Sequence, residues 1–229
     1  MTARQLPLLI PNEPLLDEAR FLSADSNAAA RTWLDRTDMW PDRRLALWGD
    51  ADHGKTHLAR IWATRHGAAW FDGPDLSGLP AVTGHSHVAV DDAVRADPHA
   101  LLHLLNTARD LGRTVLLTGR TAPGRWPVTV PDLVSRLRAI TAVEISAPDD
   151  DMLRALLLRW LTDQRLFADE SLHDWIMTRL PRSPAVLRAA VLRLDHDALI
   201  SRKRLVTPAM LRTALADDPA LFSRGEPSG

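Results

Sequence analysis

Residues 45–56 read LALWGDADHGKT, and this stretch decides the fold. Its first four residues form an apolar run that is typical of a buried strand. The next eight, Gly49–Thr56, match the pattern GxxxxGK(S/T) of a phosphate-binding loop, and residues 55–65 favour a helix. Because a strand before this pattern and a helix after it are the context that supports it, the sequence predicts a P-loop.

The loop pattern gives its residues distinct roles. The glycines let backbone N–H groups turn toward phosphate oxygens, and the N-terminal end of the following helix adds positive potential. Lys55 is expected to reach the outer phosphates, and the hydroxyl of Thr56 is expected to bind Mg²⁺. The predicted ligand is therefore ATP or ADP with Mg²⁺. The predicted nucleotide-binding residues are Gly49, Asp50, Ala51, Asp52, His53, Gly54, Lys55, Thr56 and His57.

A second apolar run, residues 87–90, ends in Asp91 and Asp92. An acid at the end of a buried strand is what the other half of a P-loop site requires. We expect Asp91 to hold Mg²⁺, directly or through water, and Asp92 to orient the attacking water. An alternative is that Asp92 caps the turn into the next helix, and it could do both.

Strands and helices alternate up to about residue 146, which predicts an α/β fold with a five-stranded parallel sheet. After Pro148 the pattern changes to helices alone. The predicted parts are a flexible arm (1–20), a P-loop base (21–146), a helical lid (147–222) and a disordered tail (223–229). The predicted strands are 45–48, 68–71, 87–90, 114–118 and 139–145, and the predicted helices are 27–36, 55–65, 98–111, 149–167, 170–180, 183–199 and 207–215.

Composition narrows the functional classes. The formal net charge is −1, so no overall basic field attracts nucleic acid, and direct sequence-specific reading of DNA is not expected. There is no cysteine, which excludes disulfides and cysteine-ligated zinc. No apolar run approaches the roughly 20 residues that span a bilayer, and the start lacks the features of a signal peptide. A cytoplasmic protein without a membrane partner is expected.

Several further motifs follow the loop in a fixed order. They are LLHLLNTARDLGR at 101–113, VLLTGR at 115–120 and PDLVSRL at 131–137. Together with the loop and the Asp91 strand, this order resembles the AAA+ module of the bacterial replication initiator DnaA. The stretch from Phe21 to Asn27 resembles the segment that lies beside the nucleobase in this family. The resemblance extends from Phe21 to Leu215 and implies an AAA+ P-loop NTPase fold with a C-terminal helical lid.

The resemblance also points to a branch of this family. The initiator carries a C-terminal helix-turn-helix, whereas this sequence ends soon after its last predicted helix. From residue 147 onward there are 12 Lys and Arg residues against 12 Asp and Glu residues, so no basic DNA-reading domain is expected. A DnaA-like chain of this kind resembles the Hda regulators, which inactivate the initiator.

The start of the sequence is similar to the clamp-binding peptide of Hda proteins. Residues 5–10 read QLPLLI, and the family's pattern is Gln-Leu-x-Leu. The resemblance implies that Gln5, Leu6, Leu8 and Leu9 bind the sliding clamp, the β subunit of DNA polymerase III, as an extended segment. The alternative is an ordinary leucine-rich arm that packs on its own domain.

The same resemblance makes Arg136 an arginine finger, which acts on ATP held by a neighbouring molecule. Two positions depart from the family. Arg120 stands where an acid is usual, and Ala185 stands where the lid has an arginine that reaches the γ-phosphate. Thr118 and Arg188 are possible replacements, because Arg188 follows about one helical turn after Ala185.

The resulting hypothesis is an Hda-like regulator of replication initiation that binds the clamp and promotes hydrolysis of ATP on DnaA. It would itself be a weak ATPase. One alternative is an AAA+ loader of a replicative helicase, which would need a basic groove for single-stranded DNA. The other is a small P-loop kinase, which would need an acceptor pocket.

Overall fold

The computed structural model describes residues 18–82, 84–168, 170–201, 204–207 and 210. The predicted clamp-binding peptide, most of the predicted helix 207–215 and the predicted tail lie outside the described residues. Within the part of the chain that the structure covers, no helix is long and apolar enough to cross a membrane.

Five parallel strands form one sheet in the order β2-β3-β4-β1-β5. The predicted five-stranded parallel sheet is thereby confirmed. Strand β1 lies between β4 and β5, and Trp48 is level with Gly119 and with Glu144. The carboxyl ends of β1, β3 and β4 therefore meet at one edge of the sheet. The strands are β1 (Arg44–Trp48), β2 (Ala69–Asp72), β3 (His87–Asp91), β4 (Thr114–Gly119) and β5 (Thr141–Glu144).

Helices cover both faces of the sheet because successive strand residues point to opposite sides. Leu47 packs with α1 and α2 on one face, while Ala46 packs with α3 and α4 on the other. The helices of this part are α1 (Asp25–Asp35), α2 (Lys55–His66), α3 (Pro98–Asp110) and α4 (Pro131–Ala139).

Three further helices have a core of their own. They are α5 (Asp150–Asp163), α6 (Glu170–Arg179) and α7 (Pro184–Ser201). Leu153 and Leu157 on α5 face Ile176 on α6 and Leu187 on α7 in this buried cluster. Asp149 caps α5, and its carboxylate accepts a hydrogen bond from the Met152 amide at 2.8 Å.

Several predicted boundaries were wrong, and the largest error is at α5, which ends at Asp163 and not at Phe167. The fifth strand was predicted to begin at Ala139, but α4 continues through this residue and β5 begins at Thr141. An apolar run cannot distinguish a buried strand from the last turn of a helix. Helix α1 begins at Asp25, two residues before its predicted start, because the Asn27 carboxamide reaches back to the Ala24 amide at 3.2 Å.

Candidate nucleotide-binding site

The predicted loop lies between β1 and α2, at the carboxyl edge of the sheet. Gly49 has φ +152°, and a Cβ there would collide with the carbonyl oxygen of Ile145. Gly54 has φ +89° and immediately precedes α2. Both positions require glycine, because other residues adopt these angles only with strain. The loop is thus held in a conformation that places its backbone ahead of the α2 N-terminus.

His53 fastens the loop to the neighbouring strand. Its Nδ1 lies 2.9 Å from the carbonyl oxygen of Ile145, the residue that follows β5, so Nδ1 is the protonated nitrogen. The GxxxxGK(S/T) pattern leaves this loop position unspecified. No local pattern could reveal the contact, because its two residues are far apart in the chain.

Lys55 begins α2, and its ammonium donates a hydrogen bond to the Asp50 carbonyl oxygen at 2.6 Å. Burial lowers the pKa of Lys55, the carboxylates of Asp91 and Asp52 oppose this effect, and the charge of Arg120 adds to it. Arg120 therefore lies within electrostatic reach of the loop. It contributes positive charge at a position where the resemblance predicted an acid.

Three oxygen-bearing side chains meet at the ends of α2, β3 and β4. The Thr56 hydroxyl donates to the Asp91 carboxylate, 2.9 Å from Oδ2 and 3.2 Å from Oδ1. The Thr118 hydroxyl donates to Asp91 Oδ1 at 2.5 Å. A carboxylate and a hydroxyl are hard oxygen ligands of the kind that Mg²⁺ prefers. Thr56 and Asp91 fit a Mg²⁺ ion, which would neutralise phosphate charge there.

Asp92 has a left-handed backbone, with φ 49°. Its amide donates to the Thr118 hydroxyl at 2.9 Å, and its carboxylate lies 3.5 Å from the Arg95 guanidinium. The side chain makes no cap hydrogen bond to the short helix that follows, so the capping interpretation was wrong. A role in orienting water stays a prediction.

Phe21 lies beside the phosphate loop, in the segment 21–27 that was predicted to lie next to the nucleobase. Its ring meets His57 edge to face, with centroids 5.1 Å apart. It is also the nearest group to the position that a Cβ on Gly54 would occupy, at 3.8 Å. An apolar ring therefore lies directly against the end of the phosphate loop.

The remaining predicted residues lie apart from this cluster. Ala185 and Arg188 are exposed on α7, and Arg188 has no hydrogen bond or ion pair with any described residue. Arg136 is half-buried in the last turn of α4. That helix ends just before Thr141, which pairs with Leu45, so Arg136 lies toward the amino edge of the sheet. Burial and then the charge of Arg136 lower the pKa of Arg44, which is the first residue of β1.

Comparisons with known proteins define the fold. No protein-family model matches this chain. An uncharacterised protein of Haemophilus influenzae is 26% identical over 71% of this chain and 77% of that protein. Domain III of the replication initiation protein DnaA from Thermotoga maritima superimposes with a TM-score of 0.76 at 16% identity, covering 93% of this chain and 99% of that one.

Two other solved structures are similar. DnaA from Aquifex aeolicus bound to AMPPCP gives a TM-score of 0.63 at 15% identity, over 82% of this chain and 67% of that one. A RuvB variant from Thermotoga maritima gives 0.66 at 16% identity, over 88% and 72%. The chain therefore has the AAA+ P-loop fold of DnaA domain III. RuvB shares this fold, so the fold by itself does not define the activity.

Proposed function

We propose that this chain is an Hda-like AAA+ regulator of replication initiation, which binds ATP or ADP with Mg²⁺ and promotes hydrolysis of ATP held by DnaA. The loop geometry and the Thr56–Asp91 pair support nucleotide binding. The similar fold of AMPPCP-bound DnaA supports it further. Most of the activity would be exerted on the partner's nucleotide.

The position of Arg136 is the observation that carries the proposal. Strand β1 separates the two edges of the sheet by about 13 Å, at roughly 3.3 Å per residue, with Arg44 at one end and the loop after the other. Arg136 lies toward the Arg44 end. Among the described residues it has no hydrogen bond or ion pair. It is therefore poorly placed for its own loop and available to another molecule.

The chain's own nucleotide would turn over slowly. Hydrolysis requires charge stabilisation at the γ-phosphate, and the lid position that supplies it in the family is Ala185. Thr118 is engaged with Asp91, and Arg188 is not bonded to the loop. ADP would then serve nearly as well as ATP, holding the base (21–146) and the lid (147–222) together.

The predicted arm would bring the regulator to its target. In this proposal Gln5, Leu6, Leu8 and Leu9 bind the sliding clamp, and the protein works in the cytoplasm. DNA would be reached through the clamp, and the chain would not read its sequence directly.

Arg136→Ala tests the finger directly. Hydrolysis of DnaA-bound ATP is measured in a reconstituted reaction with clamp loaded on DNA. We expect the variant to lose about 10³-fold or more of the stimulation, because a finger neutralises transition-state charge. Its own affinity for nucleotide should stay unchanged.

Arg138→Ala is the matched control, since Arg138 is exposed on the same turn of α4. Full stimulation by Arg136→Ala would refute the finger, as would equal losses in both variants. Binding of helicase in place of DnaA would favour the loader alternative. Turnover that depends on a small acceptor would favour the kinase.

A further inference from the structure

A short segment before α1 joins the lid to the base. We call residues 18–22 the strap. Arg159 on the lid helix α5 donates to two strap carbonyl oxygens, from Nη1 to Arg20 at 2.6 Å and from Nη2 to Ala19 at 3.0 Å. Arg20 in turn lies 3.3 Å from Asp163, one turn further along α5. Two arginines running in opposite directions thus fasten the strap to one face of the lid helix.

The other side of the strap is attached to the base. The Glu18 carboxylate lies 2.8 Å from Arg65 near the end of α2, and Arg65 also binds Asp35 at the end of α1. The Leu22 carbonyl oxygen accepts a hydrogen bond from the Asn27 carboxamide at 2.9 Å. Each end of the strap is therefore fixed to helices that pack on the sheet.

Phe21 lies between these attachments, and its ring lies against Gly54 and His57. The Arg20 carbonyl held by Arg159 belongs to the peptide bond that leads into Phe21. Moving α5 relative to the base would therefore move Phe21 relative to Gly54 and His57.

We infer that Arg159 is a positioning residue for the nucleotide site: by holding the strap it keeps Phe21 against the loop and couples the lid to nucleotide affinity. The inference rests on the proposed nucleotide binding. Both hydrogen bonds described for Arg159 go to strap residues. Its planar guanidinium suits two carbonyl oxygens on successive residues, whereas a lysine ammonium provides no such fork.

The test compares nucleotide affinity in Arg159→Met and Arg159→Lys, measured calorimetrically with ADP and with ATP in Mg²⁺. Methionine keeps the apolar stem and removes the donors. We expect Kd to rise by about tenfold with methionine, within the usual range for coupled sites, and by less with lysine. Arg154→Met is the control, because Arg154 lies on the same helix and its 2.8 Å ion pair with Asp174 stays within the lid.

If Arg159 only stabilises the fold, its substitution would lower the melting temperature, and any change in nucleotide affinity would not depend on Phe21. The Phe21→Ala variant and the double variant Phe21→Ala, Arg159→Met separate these cases. If Arg159 acts through the strap, its substitution should add little once Phe21 is gone. If Arg159→Met fails to fold, Asp163→Asn removes the Arg20 pair and repeats the test on the same strap.

The outcomes are separable from those of the proposed function. Lys55→Ala should abolish nucleotide binding. If it does so while the Arg159 variants keep the wild-type affinity, the strap inference alone is overturned. Equal effects of Arg154→Met and Arg159→Met would overturn it too, as would additive effects in the double variant. A wild-type chain that binds no nucleotide would overturn the inference and the proposed function together.

Discussion

Thr118 is the residue that joins the two halves of the candidate site. It is 2% exposed, donates to Asp91 and accepts from the Asp92 amide. Its hydroxyl thereby fixes the carboxylate that Thr56 also contacts. The register of the sheet explains the meeting, because Val90 pairs with Leu117 and the next residues on β3 and β4 are Asp91 and Thr118.

Thr118→Val should therefore have two effects. The free energy of unfolding should fall by about 1–3 kcal/mol, since the Asp92 amide loses its partner while side-chain volume is conserved. Affinity for Mg²⁺-nucleotide should fall as well, because Asp91 loses a restraint. Urea denaturation and calorimetry measure the two quantities.

Thr114→Val provides the comparison, as Thr114 is buried on the same strand and makes neither contact. Equal losses in the two variants would mean that the Thr118 hydroxyl has no special role.

Single residues differ in how far the sequence could predict them. Lys55, Thr56 and Asp91 belong to local patterns whose geometry follows from the loop and the strand end. The structure brings Thr56 and Asp91 into contact, and their role as Mg²⁺ ligands stays a prediction. The contacts of His53 and Arg159 join positions that are distant in the chain, so no local sequence pattern could predict them.

At the scale of elements, predicted boundaries were wrong where the same residues suit either a helix or a strand. Ala139 and Ile140 are apolar and fit either the end of α4 or the start of β5. The chain leaves the helix at Ile140, whose ψ of 131° is extended. Strand order was also beyond sequence reasoning, because β1 pairs with β4 and β5 and not with β2, the strand that follows it in the sequence.

The arm is the element with the most direct prediction. Replacing Gln5 and Leu8 together by Ala should abolish binding to the sliding clamp, since the peptide would lose its polar and apolar anchors. The melting temperature should stay unchanged, because a terminal arm adds little to the core. Surface plasmon resonance with immobilised clamp measures the first effect and calorimetric scanning the second.

The same arm offers a control pair, Asn12→Ala and Glu13→Ala, outside the peptide. Clamp binding that survives the Gln5 and Leu8 changes would remove the tether from the proposal.

At the scale of the whole molecule, acid stability should depend on two histidines whose rings are in contact. His66 ends α2 and His87 begins β3, and their ring centroids are 4.7 Å apart. Burial lowers the pKa of both imidazoles, with Arg65 adding to the effect on His66, and His66 and Arg43 adding to that on His87. Asp35, Asp38 and Arg43 line the polar cavity beside the pair.

The direction of this pH dependence follows from the linkage between proton binding and folding. Both imidazoles are held neutral in the folded protein, so their contribution is complete above the unfolded pKa of about 6.5. It is lost as the pH falls from there toward the lower folded values. We expect the melting temperature to drop as the pH falls below about 6.5.

His87→Phe should flatten this dependence while keeping an aromatic ring beside Trp62. His99→Gln, an exposed change on α3, should leave it as in the wild type. An unaltered slope in His87→Phe would show that the pair does not govern acid stability.

The central place of β1 has a consequence for how the protein is made. A ribosome delivers β1 first among the strands, yet its neighbours β4 and β5 are delivered last. Until Thr141 has emerged, β1 has an unpaired edge, and such edges invite association with other chains. The nascent chain can pair β2 with β3 much earlier. The phosphate loop, which depends on Ile145 to seat Gly49 and His53, should therefore take shape only when synthesis of the lid begins.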